Sequence, residues 1–174
     1  SRTGYNARMS QKPVTEKNRN EAPGQRLLRL WNTARNTPLG KRVFSRVLGR
    51  MVPYSGSVKA VVEDLQPGYA RIFVKDRRAI RNHLRSVHAV ALINIGELVS
   101  GLAMLVGLPE GIRGIVTHLE ADYHKKAKGN LTAECHTDIP AVGIEPVEYQ
   151  VQAKIFNASG EHVTTVRAVW HLSP

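Results

Sequence analysis

Apolar positions along this chain change their period three times. In QRLLRLWNTAR (25–35), Leu27, Leu28, Leu30 and Trp31 recur at helical spacing. After a break at Thr37-Pro38-Leu39-Gly40, Val43, Phe44, Val47 and Leu48 form a second helical stripe. The pattern predicts two amphipathic helices, the second ended by Met51-Val52-Pro53-Tyr54-Ser55-Gly56. SVKAVVEDL (57–65) and YARIFVKD (69–76) flank Gln66-Pro67-Gly68 and read as strand, turn, strand. A basic loop with Arg77, Arg78, Arg81 and Arg85 leads into a nearly unbroken apolar run from Val87 to Val106, one helix stopped by Gly107, Pro109 and Gly111. Four strands follow, near 113–124, 129–138, 145–157 and 162–172, with Gly129-Asn130 and Ser159-Gly160 read as hairpin turns and the proline-bearing stretch 134–146 as a loop. Two strands, one apolar helix and four strands predict an α+β fold, an antiparallel sheet wrapped around a long central helix. The expected division is a flexible basic tail over 1–23, an N-terminal helical segment over 24–55, and the sheet-and-helix domain over 56–174.

A length of 174 residues suits one domain with a full core. The net charge of +11 is uneven: residues 1–50 carry +10 and the remainder +1. The basicity therefore belongs to the N-terminal segment. It is expected to be a solvated tail, since no aromatic-rich RNA-binding strand or zinc-finger spacing accompanies it. A lone Cys135 excludes an intrachain disulfide framework and reads as a core thiol. His118-Leu119-Glu120 lacks further ligands, so no metal is expected. No Gly-x-Ser-x-Gly elbow is present, which sets aside an α/β-hydrolase esterase. The N-terminus lacks the apolar core of a secretory signal, so the expected location is cytoplasmic. Its Arg-rich, acid-poor character leaves a mitochondrial matrix location and a native start at Met9 open.

The apolar run is long enough to span a bilayer, at about 20 residues. His88, Asn94 and Glu97 interrupt it, however, and favour a buried helix of a soluble fold. A carboxylate there is costly unless it is paired, neutralised or used. His88 and Glu97 are nine residues apart, which on a helix is about 900°, half a turn out of phase, and about 13.5 Å along the axis. Chemistry that uses both therefore needs the helices of two subunits side by side. The competing structural reading has Glu97 satisfied by Asn94 or by a group of a partner chain, and His88 as a cap.

The run Asn82-His83-Leu84-Arg85-Ser86-Val87-His88-Ala89-Val90-Ala91-Leu92, with Glu97 and Ser100-Gly101-Leu102-Ala103 beyond it, resembles the signature of hotdog-fold acyl-CoA thioesterases of the phenylacetate-pathway type. The spacings Asn82–His88 and His88–Glu97 carry the resemblance, and YHKKAKGNLTAE (123–134) resembles the family's next element. More narrowly, the region resembles a little-described thioesterase-like branch, DUF4442. The resemblance implies a homodimer or dimer of dimers with acyl-CoA as substrate and no cofactor. Glu97 of the facing subunit would be general base or nucleophile, and the Ala89 N–H at the helix N-terminus the oxyanion donor. Asn82 would orient water or carbonyl, His88 would hold the loop or bond the thioester, and Thr117 would assist. Arg77, Arg78, Arg81, Lys125, Lys126 and Lys128 would meet the coenzyme A phosphates.

Ala89-Val90 stands where that family has Gly-Gly. An alanine still donates its N–H, but its Cβ narrows the approach. The alternative is a non-catalytic hotdog dimer, a binding or structural subunit anchored through its basic residues 1–50 to an acidic partner, RNA or an anionic membrane. Deleting residues 1–50 is expected to spare the turnover of an enzyme and to cost an adaptor its partner.

Overall fold

The computed structural model describes residues 22–174. The tail read over 1–23 lies outside these apart from its last two residues, and Pro23 already opens α1 (Pro23–Ala34). Proline also opens α2 (Pro38–Met51), a first-turn position where its missing N–H costs nothing. Thr37 caps α2 by accepting a hydrogen bond from the Gly40 N–H at 3.0 Å. The stretch expected to end α2 adds one short helical turn, α3 (Pro53–Gly56). Trp31 meets Phe44 edge to face at 5.2 Å, and both join Leu48 in the core. The deletion of residues 1–50, expected to spare an enzyme's turnover, would remove three buried core side chains, Trp31, Phe44 and Leu48.

β1 (Val61–Gln66) and β2 (Tyr69–Val74) pair through a turn in which Gly68 has φ +80°, the left-handed position that a Pro-Gly turn requires. Then come α4 (Ala89–Leu105), β3 (Arg113–Tyr123), β4 (Leu131–His136), β5 (Val147–Asn157) and β6 (His162–Ser173). The strands form one antiparallel sheet in the order β1-β2-β4-β5-β6-β3. Ser159-Gly160 is the β5–β6 hairpin turn. Gly129-Asn130 is not a hairpin turn, because β3 pairs with β6 and the chain crosses to β2 before β4 begins. Its turn chemistry is real, with φ +75° at Gly129. A turn signal does not reveal which strands lie on either side of it.

α4 packs against all six strands. Ile95, Val99, Ala103 and Met104 are buried among Ile72, Ala133, Ile155 and Ala168 of the sheet. The approach is close: a Cβ on Gly96 would lie 2.3 Å from Cβ of Val166, so only glycine fits. Gly101 likewise faces the Trp170 ring, at 3.0 Å from a built Cβ. No helix among the described residues is long and apolar enough to cross a membrane.

Candidate active site

α1, α2 and α3 roof a cavity of about 620 Å³ whose floor is α4. Leu27 and Leu48 line it from above, Leu98, Leu102 and Leu105 from below, and Trp170 of β6 from the side. Glu97 and Ser55 are polar groups in this mostly apolar wall, and Arg113 stands at the start of β3. The size is that of a small-molecule site. Its roof exists because two proline-started helices fold back over α4. Gly24 is the tightest contact, its built Cβ falling 2.0 Å from the Leu105 carbonyl oxygen.

Glu97 is partly buried, and burial pushes its carboxyl above the ordinary carboxylate range. The Ser55 hydroxyl donates to Oε2 at a long 3.4 Å and pulls the other way, with the smaller effect. Asn94 does not satisfy Glu97; its Nδ2 donates to the Tyr54 carbonyl at 3.4 Å. Ser55 was invisible to sequence reasoning: it lies 42 residues away and belongs to no motif. Replacing Ser55 by Ala should move the titration midpoint of the Glu97 carboxyl further upward. Carbon-13 NMR on carboxyl-labelled protein measures this, and a downward or absent shift would remove Ser55 from the site.

The other signature residues lie elsewhere. His88 is the N-cap of α4, its Nδ1 accepting from the Val90 N–H at 3.1 Å with the ring exposed. Ala89 is the first residue of the helix, exposed, with an N–H that the helix itself cannot satisfy. The Tyr123 hydroxyl donates to the Ala89 carbonyl at 3.1 Å and ties β3 to this turn. Asn82 Oδ1 accepts from the Leu84 and Ser86 N–H groups and the Ser86 hydroxyl, at 2.9, 3.2 and 3.2 Å, and so holds the 82–86 loop in shape. Thr117 is the extra residue of a bulge in β3, with Oγ1 3.1 Å from Glu148 and 3.3 Å from the Val169 carbonyl. None of these four lines the Glu97 cavity.

Among the basic residues, Arg81 holds Asp76 through two bonds of 2.8 and 2.7 Å, and Lys125 holds Glu161 at 2.6 Å. Arg77 donates to the Ser57 carbonyl. Arg78, Lys126 and Lys128 are exposed and form no ion pair among the described residues. Cys135 is buried, which pushes its thiol up to about 12 and removes it as a nucleophile.

Residues 40–172 match the model of the family described as Domain of unknown function (DUF4442). Among solved structures, a genomics target named APC5556 is 26% identical with a TM-score of 0.72, covering 86% of this chain and 97% of its own. PA5026 from Pseudomonas aeruginosa, a protein of unknown function described as a probable thioesterase, is 24% identical with a TM-score of 0.64, covering 80% and 98%. A hypothetical thioesterase protein from Streptococcus pneumoniae TIGR4, with coenzyme A, is 18% identical with a TM-score of 0.55, covering 65% and 87%. No curated protein matches the chain. The likeness establishes the hotdog fold, as the strand order and central helix already suggest.

Proposed function

This chain belongs to the DUF4442 family, and on that premise we propose that it is an acyl-CoA thioesterase whose active site is shared between two subunits. The observation that carries the reading is Glu97: a desolvated carboxylate, lightly hydrogen-bonded, in an apolar cavity large enough for an acyl group. Such a carboxylate is a stronger base than a solvated one. It takes a proton from water as that water adds to the thioester carbonyl, or adds to the carbonyl itself to give an anhydride that water then hydrolyses. On either route the tetrahedral adduct collapses by breaking the C–S bond, and the departing thiolate is protonated to the coenzyme A thiol. The coenzyme A phosphates meet exposed cations, for which Arg78, Lys126 and Lys128 form no ion pair among the described residues; a neighbour of the same fold holds coenzyme A.

The oxyanion donor must come from the second subunit. Ala89 stands at the exposed start of α4, outside the Glu97 cavity of its own chain. The seam follows from β3, an edge strand with β6 as its sheet neighbour. Leu119 and Tyr123 lie opposite Ala168 and Thr164, on the helix-facing side of the sheet, yet are 37% and 47% exposed. An unpaired edge with apolar side chains of this kind calls for a partner strand. Pairing β3 with β3 brings the α4 start of one subunit, linked to β3 through Tyr123, against the cavity of the other.

Mixed dimers test the shared site. Glu97→Gln and Ala89→Pro subunits should each be inactive alone in thiol release from a panel of short, long and aryl acyl-CoA esters. Random mixing makes half the dimers mixed, each with one intact site, so activity should return to about a quarter of wild type. Failure to complement would place both groups in one chain. No turnover by wild type on any ester would favour the non-catalytic reading.

A further inference from the structure

The outer side of α2 repeats a pair every four residues: Arg42-Val43, Arg46-Val47, Arg50-Met51. At helical spacing the pairs align as two adjacent stripes, one cationic and one apolar. Val43, Val47 and Met51 are 49%, 41% and 57% exposed, and Leu39 at the start of the stripe is 70% exposed. The three arginines are exposed and form no ion pair among the described residues. Packing does not account for this face, since α2 makes its core contacts with Phe44, Ser45 and Leu48. It lies against β1, the sheet edge opposite β3, so sheet continuation through β3 does not account for it either.

We propose that α2 docks the protein on an anionic lipid bilayer. The apolar stripe enters the boundary between headgroups and acyl chains, while the arginines extend to the phosphates. Charge complementarity selects this occupant: these arginines belong to the +10 N-terminal fifty residues of a chain otherwise near neutral. An RNA surface would interleave its cations with stacking aromatics, whereas this stripe is aliphatic. The stripe also runs into the active-site cavity, because Met51 and Val52 are both exposed and part of its wall. A docked molecule therefore holds its acyl cavity beside the lipid, where acyl groups are concentrated. Docking stands on the surface alone and holds whether or not the thioesterase reading does.

Flotation of the full chain with vesicles of phosphatidylcholine, or of equimolar phosphatidylcholine and phosphatidylglycerol, tests it without any turnover. Binding is expected to the anionic vesicles and to fall steeply with salt. The triple variant R42Q/R46Q/R50Q should lose about a hundredfold in partitioning. V43S/V47S should weaken binding at unchanged charge, and neither position lines the cavity. All five side chains are exposed, so both variants should keep the wild-type melting temperature. No binding to anionic vesicles, or binding undiminished in both variants, overturns the proposal. So does a change of oligomeric state in V43S/V47S without lipid at unchanged vesicle binding, which would make this face a contact between copies. RNA binding lost in the charge variant, with vesicles unbound throughout, would overturn it as well.

Discussion

Glu97→Gln should lower kcat for thioester hydrolysis by about three orders of magnitude while the protein stays folded. Glutamine keeps the shape and can still meet Ser55, but it neither accepts a proton from water nor attacks a carbonyl. The same substitution has a signature in stability that separates it from a general loss of structure. Burial raises the Glu97 pKa in the folded chain above its unfolded value. The stability of holding that group neutral is complete below the unfolded pKa, near 4.3 for glutamate. It is lost as pH rises through the raised folded value. At neutral pH the wild type therefore bears the cost of a desolvated charge, and glutamine does not. The variant should melt a few degrees higher than wild type near pH 7, with the difference vanishing near pH 4. Melting curves across that range decide it; a variant less stable at neutral pH would mean that Glu97 has a stabilising partner. In wild type the same carboxyl should set the acid limb of kcat/KM, at a pH above the ordinary carboxylate range.

Ala89→Pro should cost about a hundredfold to a thousandfold in kcat with little change in melting temperature. Proline removes one atom that matters, the amide hydrogen, and suits the first position of a helix. His88 before it has φ −64° and ψ 141°, an extended geometry that a following proline favours. The Ala89 carbonyl stays available to Tyr123, and the Val90 N–H stays capped by His88. With the Val90 N–H already occupied, the Ala89 N–H is a first-turn donor still open to an oxyanion. Activity retained at the wild-type level would assign the oxyanion to another donor. Loss of activity with loss of melting temperature would mark a structural effect instead.

These experiments act on residues whose legibility differed. Element types were readable because they are local: helical stripes at 27–31 and 43–48, alternation in the strands, and an apolar run too long for a strand. The chain itself also marked Glu97 as anomalous, since a lone carboxylate among apolar residues has a cost whatever the fold. The phase between His88 and Glu97 follows from helix geometry alone, and with it the need for a second subunit if both act together. What the sequence could not contain is partnership between distant segments. Alternation states that β3 and β4 are strands but not that β3 crosses the sheet to pair with β6, because a pleated strand carries no label for its neighbour. Ser55 meets Glu97 only because α3 comes to rest over α4. The sequence sets the basic N-terminal helices apart as a segment of their own, and only the fold shows that they supply Trp31, Phe44 and Leu48 to the core and the roof to the cavity. Local propensity determined the pieces of this protein. The close packing of α1, α2 and the sheet about α4, allowed by glycines at 24, 96 and 101, decided where the chemistry could sit.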